Sequence, residues 1–117
     1  MKFIDLFAGL GGFHFALEEL GHQCVLASEI QDDLKKLYSV NHPNLSKDRI
    51  IGDIHTDINI NDIPNFDILC AGFPCQPFSQ AGYRKGLEDP DNGNHFIRLL
   101  EIIKYHNPSY IFLENVQ

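Results

Sequence analysis

The sequence predicts an α/β fold with a doubly wound, Rossmann-like and mostly parallel sheet. Short apolar stretches alternate with segments of helical periodicity along the 117 residues. This alternation is typical of a parallel sheet with helices on both faces. The polar and reactive residues considered below also follow predicted strands, and folds of this kind bind ligands at the carboxyl ends of their strands.

Each element follows from the spacing of its apolar residues. Strands are predicted at residues 3–7, 23–30, 66–72 and 110–113, and residues 50–54 are predicted to form a short third strand with its loop. A first helix follows Gly11-Gly12, carries an apolar stripe and is closed by Gly21. Further helices are predicted at 32–40, before the His42-Pro43 step, and at 96–105. The apolar stripes of the three helices are Phe13, Ala16, Leu17 and Leu20; Leu34, Leu37 and Tyr38; and Phe96, Leu99, Leu100 and Ile103.

The composition is that of a globular chain and does not indicate a membrane, disulfide-rich or metal-binding protein. The hydrophobic fraction of 44% and the charged fraction of 21% are those of a globular protein. No apolar stretch reaches the roughly 20 residues that span a bilayer, and three cysteines without a CxxC pair predict neither a disulfide framework nor a zinc site. The six histidines show no metal-ligand spacing. We therefore expect a cytoplasmic protein with no membrane partner and no metal.

The net charge of −7 is unusual for a protein that binds nucleic acid. Nine basic residues face sixteen acidic ones, whereas Lys and Arg supply most of the affinity for phosphate backbones. Either the chain does not hold nucleic acid, or the basic surface lies on another part of the protein.

A glycine-rich turn follows the first strand. Because glycine has no Cβ, Gly9, Gly11 and Gly12 allow close backbone approach to a ligand and positive φ angles. Glu29 ends the next strand, about 20 residues further on, where an acid is placed to bind ribose hydroxyls. Asp53 follows the third strand and is a candidate acceptor for an adenine amino group. Its neighbour Ile54 and the earlier Ile30 are placed to sandwich the adenine ring.

Two other interpretations of the turn stay open. The glycines could serve only to pack the strand tightly against the helix, or they could belong to a nicotinamide oxidoreductase. The order GxGG departs from the GxGxxG of dinucleotide sites, which weakens the second interpretation.

Cys75 is the candidate nucleophile. It follows the fourth strand and lies between Pro74 and Pro77, which make continuation of the strand improbable. Cys24 and Cys70 lie inside predicted strands, where a cysteine is usually a small buried hydrophobe.

Glu114 ends the fifth predicted strand, in the sequence Phe112-Leu113-Glu114. Neighbouring parallel strands lie about 4.8 Å apart, so Cys75 and Glu114 are expected to face one small substrate. An acid at a strand end is often only a solvated terminus, but its pairing with Cys75 favours a catalytic role.

Three ordered motifs resemble those of the cytosine-5 DNA methyltransferase family. They are Phe-Ala-Gly-Leu-Gly-Gly-Phe at 7–13, Gly-Phe-Pro-Cys-Gln-Pro-Phe-Ser at 72–79 and Glu-Asn-Val at 114–116. The resemblance implies S-adenosyl-L-methionine as cofactor and a cytosine flipped out of duplex DNA as substrate. It implies that the Cys75 thiolate adds to ring carbon 6, that Glu114 assists at the ring nitrogen side, and that carbon 5 then takes the methyl group.

The resemblance also extends the candidate site. It implies cofactor contacts at Phe7, Leu10 and Pro74, in addition to Gly9, Gly11, Gly12, Glu29, Ile30, Asp53 and Ile54. It implies DNA contacts at Gln76, Ser79, Asn115 and Val116, and a mobile loop over residues 79–94. His95 is left out of the site because the family usually shows an aliphatic residue near this position.

Residues 1–117 resemble the amino-terminal part of the catalytic domain of this family. Family members continue with a target-recognition region and further motifs, so we expect a carboxyl-terminal half or a complementary chain, and duplex DNA, as partners. The chain could be one subunit of a split enzyme, a truncated product or an excised piece. The remaining alternatives are a tRNA cytosine-5 methyltransferase and a catalytically silent partner subunit.

Overall fold

The computed structural model describes residues 1–74 and 92–116, without the side chains of residues 73–74, 92–94 and 115–116. The strands are β1 (Lys2–Leu6), β2 (Gln23–Ser28), β3 (Ile50–Ile51), β4 (Ile68–Pro74) and β5 (Tyr110–Val116). The helices are α1 (Gly12–Glu19), α2 (Asp32–Asn41) and α3 (Asn92–His106), with short 3₁₀ turns at Lys47–Arg49 and Ile60–Asp62.

The five strands form one parallel sheet in the order β3-β2-β1-β4-β5. The chain builds outward from β1 through β2 to β3 and then returns to the other side of β1 with β4. The strand order therefore reverses between β1 and β4, the point at which doubly wound sheets form their ligand crevice. The predicted fold class is confirmed.

Apolar residues fill both faces of the sheet. One face carries Leu26 and Leu69 and packs against Leu99 and Ile102 of α3. The other face has its own core, which contains Phe3, Cys24, Tyr38, Ile50 and Cys70 with Phe13 and Leu17 packed against it. Helices thus cover both faces, as the alternation of elements predicts.

The orientation of the helices differs in part from the predicted apolar stripes. Ala16, Leu20, Leu37 and Leu100 are exposed, whereas His14 is completely buried on α1. The spacing of apolar residues indicates that a helix has an apolar face, but tertiary packing determines which side chains of that face contact the sheet. His14 can take an inward position because its ring nitrogens have hydrogen-bond partners there.

Element boundaries shift where backbone geometry overrides apolar content. Phe7 lies beyond β1 at a φ of 53°. β3 ends at Ile51, and Asp53 and Ile54 lie in the loop that follows it, as predicted. β5 continues through Val116, which places Glu114 inside the strand rather than after it. α3 begins at Asn92, so residues 92–94 of the predicted mobile loop are helical, and residues 79–91 of that loop lie outside the described residues.

Within residues 1–74 and 92–116, no helix has the length and apolar character required to cross a membrane. The same part of the chain contains no group of three or more His, Cys, Asp or Glu residues that could hold a metal ion.

Candidate active site

The glycine-rich turn between β1 and α1 is held against the end of β2. Phe7 donates its backbone N–H to the Ser28 hydroxyl at 3.1 Å, and Ala8 donates to the Ser28 carbonyl at 2.8 Å. Gly9 and Gly11 adopt φ angles of +57° and +84°. These left-handed conformations favour glycine and let the chain reverse from the strand into the helix.

Glu29 links this turn to the start of α2. Its Oε1 accepts the N–H of Gly9 at 2.8 Å and its Oε2 accepts the N–H of Gln31 at 2.9 Å. The side chain is 8% exposed, so the carboxylate is fixed in position. Each carboxylate oxygen has two lone pairs, and Glu29 can therefore accept further hydrogen bonds from a ligand.

Asp53 lies in a tight loop that follows β3. Its Oδ1 accepts the N–H of His55 at 2.8 Å, and its own N–H is donated to Oδ2 of Asp57 at 2.8 Å. Glu29 donates its N–H to the Ile51 carbonyl at 3.0 Å, so the two acidic residues lie just beyond the ends of neighbouring strands. A carboxylate accepts about four hydrogen bonds, so the bond to His55 does not saturate Asp53.

Five of the predicted cofactor residues line one pocket at the carboxyl ends of β1, β2 and β3. The pocket is lined by Phe7, Ser28, Glu29, Ile30, Gly52, Asp53, Ile54 and His95. Its volume is ≈ 40 Å³, far below the roughly 300 Å³ or more of typical ligand pockets. The acceptor groups suit a nucleoside, but an adenosine would require a side chain of the wall to move or would rest at the mouth beside the exposed Ile30.

A buried polar network lies beneath the glycine-rich turn. The Tyr38 hydroxyl donates to Oδ2 of Asp5 at 3.1 Å and lies 2.6 Å from Nδ1 of His14. The other ring nitrogen of His14 lies 3.0 Å from Glu18. The His14 ring stacks on His42 at a centroid distance of 3.9 Å, and His42 Nε2 lies 3.2 Å from the Leu10 carbonyl.

This network supports the turn from inside the protein. Burial raises the pKa of Asp5 to about 7, against the opposing effect of the hydrogen bond from Tyr38. Burial also lowers the pKa values of His14 and His42. The glycine-rich turn therefore packs on groups whose charged forms are disfavoured by burial.

We expect Asp5→Asn to stabilise the protein relative to the parent at pH 8 and to have little effect near pH 4. Because the pKa of Asp5 rises from 3.8 to about 7 on folding, stability is lost as the pH rises through that window. At about 1.4 kcal/mol per pKa unit, the difference approaches roughly 4 kcal/mol at pH 8. The lowered pKa values of His14 and His42 make stability rise with pH instead. Because both histidines are present in the parent and the variant, they do not contribute to the difference between the two proteins. Urea denaturation at several pH values measures the difference, and a difference that does not grow with pH contradicts this assignment.

Glu114 lies apart from that pocket, on the edge strand β5. Its register partner is Gly72 on β4, and the pairing continues to Pro74 opposite Val116. β4 and β5 are thus neighbours, as expected, and the exposed Glu114 lies near the carboxyl end of both.

Several predicted site residues lie outside the described part of the structure. Cys75, Gln76 and Ser79 fall in the segment 75–91, and the side chains of Pro74, Asn115 and Val116 are also not described. Their assignments stay predictions.

The structure adds residues that the sequence interpretation did not include. His95 and Ser28 line the pocket, although the sequence interpretation leaves His95 out of the site. The signal for His95 is its position in the sequence, because the family usually has a cofactor contact near it. The sequence indicates less strongly that Asp5 and His14 are buried, since each is a polar residue within an otherwise apolar segment.

Sequence comparison identifies relatives over the whole chain. The model of the C-5 cytosine-specific DNA methylase family matches residues 1–117. The type II methyltransferase M.HpaII of Haemophilus parainfluenzae is 48% identical over 116 residues, which are 98% of this chain and 31% of that protein. The type II methyltransferase M.HhaI of Haemophilus parahaemolyticus is 44% identical over 117 residues, 100% of this chain and 34% of that protein. The chain spans about one third of the length of these curated relatives.

Solved structures show the same architecture. The Dnmt2 methyltransferase of S. pombe superimposes with a TM-score of 0.74 at 29% identity, covering 100% of this chain and 36% of that one. The methyltransferase EhMeth of Entamoeba histolytica gives a TM-score of 0.75 at 23% identity, covering 99% and 38% of the two chains, and this likeness concerns the fold alone. Because the family match extends over every residue of the sequence, the chain belongs to the C-5 cytosine-specific DNA methylase family.

Proposed function

We propose that this chain supplies the cofactor pocket and the nucleophile of an enzyme that methylates carbon 5 of cytosine in duplex DNA. The observation that carries the proposal is the family match over residues 1–117, in a fold that gathers Phe7, Glu29 and Asp53 at one pocket. S-adenosyl-L-methionine is the methyl donor of this family, and it supplies an electrophilic methyl group when bound.

The residues of the pocket suit the adenosine part of this cofactor. The fixed carboxylate of Glu29 is placed to accept hydrogen bonds from the ribose hydroxyls. Asp53 accepts from the adenine amino group, while Ile30 and Ile54 contact the faces of the ring. The turn at Gly9 and Gly11 brings bare backbone toward the cofactor, and Leu10 and Gly12 complete this side of the site.

The chemistry at the cytosine is assigned to Cys75 and Glu114. Aromatic carbon 5 is a poor nucleophile, so addition of the Cys75 thiolate to carbon 6 is needed to make carbon 5 reactive. Glu114 hydrogen-bonds at the ring nitrogen side and stabilises the charge that develops there. Once carbon 5 carries the methyl group, loss of its proton and elimination of Cys75 restore the aromatic ring. Gln76, Ser79, Asn115 and Val116 are proposed to contact the DNA.

The exposed surface of β5 supports a contribution from further polypeptide. Tyr110, Ile111, Phe112 and Leu113 are each between 43% and 52% exposed. Successive strand residues point to opposite faces, so both faces of this edge strand present apolar surface, which soluble proteins usually cover. We propose that a segment or chain corresponding to the remaining two thirds of the relatives packs here and carries the DNA-reading surface that the net charge of −7 does not favour on this chain.

We expect the 117 residues alone not to methylate DNA. Flipping a base costs a few kcal/mol, which contacts between protein and DNA must offset, and an acidic fragment makes few of them. Transfer of a radiolabelled methyl group to duplex DNA, with and without the complementary polypeptide, measures this. Turnover that depends on Cys75 in the fragment alone would contradict the expectation. The same assay with tRNA distinguishes the alternative substrate, and an inactive complete protein that still binds cofactor would favour a silent subunit.

Glu29 provides a direct test of the cofactor pocket. We expect Glu29→Gln to weaken S-adenosylmethionine binding by about tenfold, and Glu29→Ala by up to about a hundredfold, because hydrogen bonds to charged groups contribute about 1.5–3 kcal/mol. Titration calorimetry measures the affinities, and circular dichroism verifies the fold, since Glu29 also binds Gly9 and Gln31. Glu19→Gln, at an exposed position at the far end of α1, is the matched control. Equal affinities for all three variants would exclude Glu29 from the site.

A further inference from the structure

A histidine in the wall of the cofactor pocket is bonded to a second histidine from another element. His95 lies in the first turns of α3 and His55 lies in the loop that follows β3. Nε2 of His55 and Nδ1 of His95 are 2.8 Å apart, and the two ring centroids are 5.0 Å apart. The His95 ring also contacts Phe7, at a centroid distance of 5.0 Å. The pair thus joins α3 to two of the loops that form the pocket.

The loop that carries His55 is firmly placed. Arg98 of α3 donates to the carbonyls of Ile54 and Ile58 at 3.0 and 3.2 Å, and Asp53 accepts the backbone N–H of His55 at 2.8 Å. His95 is therefore held at a defined position by a partner that is itself held.

The contact between the rings requires that one nitrogen donates and the other accepts. A neutral imidazole has one donor and one acceptor nitrogen, whereas a charged imidazolium has two donors. Replacing either ring by an apolar side chain therefore removes the bond.

We propose that the hydrogen bond between His55 and His95 positions the His95 ring in the wall of the cofactor pocket, and that cofactor affinity falls when this bond is removed. The proposal rests on the proposed function, because it assumes that S-adenosylmethionine binds in this pocket. His95 contributes a ring to the wall, and the bond to His55 fixes where that ring lies. Loss of the bond therefore changes the surface presented to the adenosine.

The experiment measures the affinity of the complete protein for S-adenosylhomocysteine by calorimetry at pH 8. His55→Gln retains a polar atom near the position of Nε2, and His55→Leu removes the bond. We expect parent-like affinity for the Gln variant and a loss of about three- to tenfold for the Leu variant.

His95 itself is tested by two complementary variants. His95→Asn keeps a polar atom near Nδ1 and loses the ring, whereas His95→Phe keeps a ring and loses the bond to His55. We expect both to bind S-adenosylhomocysteine more weakly than the parent at pH 8. Equal affinities of His55→Leu and the parent, or tighter binding by His95→Ala, would overturn the proposal. Failure of the parent protein to bind the cofactor product would instead contradict the proposed function.

Discussion

Cys75→Ala should abolish methyl transfer by the complete protein, lowering turnover by at least about three orders of magnitude. The reason is chemical, because carbon 5 of cytosine becomes nucleophilic only while a thiolate is bonded to carbon 6. Cofactor affinity should stay within about twofold of the parent, since the pocket formed by Glu29 and Asp53 contains no cysteine among its described residues. Radiolabelled methyl transfer and cofactor titration measure the two effects separately.

The chain offers matched controls in its other two cysteines. Cys24 and Cys70 are buried, and burial, reinforced by the nearby Asp5 carboxyl, raises the pKa of both thiols to about 12. A thiolate is the reactive form of cysteine, so neither residue supplies one near neutral pH. Cys24→Ala should therefore retain methyl transfer, apart from a modest loss of stability.

Trapping identifies the nucleophile directly. DNA that carries 5-fluorocytosine should form a stable covalent adduct with the protein, because fluorine cannot leave carbon 5 as a proton does. Peptide mapping should place this adduct on Cys75. An adduct on Cys24 or Cys70 would show that the assignment of the nucleophile is wrong.

Gly11→Ala should destabilise the protein by about 3–5 kcal/mol, a large part of the stability of a typical domain. A Cβ at Gly11 would lie 2.2 Å from Nε2 of His42 and 2.7 Å from Cε2 of Tyr38. Neither ring moves freely, because His42 stacks on His14 and the Tyr38 hydroxyl is bonded to Asp5. The φ angle of +84° adds backbone strain for any residue with a Cβ.

Alanine substitutions at two neighbouring glycines separate the effect of the steric clash from that of the backbone strain. A Cβ at Gly9 would meet no atom within 4 Å, but its φ of +57° imposes backbone strain. A Cβ at Gly12 would likewise meet no atom within 4 Å, and this residue begins α1. Thermal and urea unfolding should rank the losses of stability as Gly12→Ala smallest, Gly9→Ala intermediate and Gly11→Ala largest. Equal effects at Gly11 and Gly12 would contradict the close packing of His42 beneath the turn.

Some features of the site could be predicted because short segments specify them. The turn at Gly9 and Gly11 follows from glycine content after an apolar strand, and the observed φ angles agree with it. Glu29 and Asp53 follow strands that lie side by side, so the parallel order of the sheet brings them to one pocket. The roles assigned to these side chains, like those of Cys75 and Glu114, stay predictions.

Other features depend on contacts between distant segments and had no local signal. The bond between His55 and His95 joins residues 40 positions apart. The burial of His14 depends on Tyr38, which lies 24 positions further along the chain. The spacing of apolar residues does not predict such pairs, because a buried polar residue interrupts the apolar pattern by which core positions are recognised.

The sequence by itself determined the fold class, the order of strands and helices, the motifs of the family and the glycine-rich turn, because these depend on local periodicity and on residue types at fixed spacings. The tertiary structure alone decided which side chains meet. It placed His95 in the wall of the pocket that contains Glu29 and Asp53, buried Asp5 and His14 beneath the glycine-rich turn, and left both faces of β5 exposed. The physical reason is that burial and hydrogen bonding are properties of the packed chain. The free energy that a residue contributes to folding at a given position depends on partners that the fold brings there from elsewhere in the sequence.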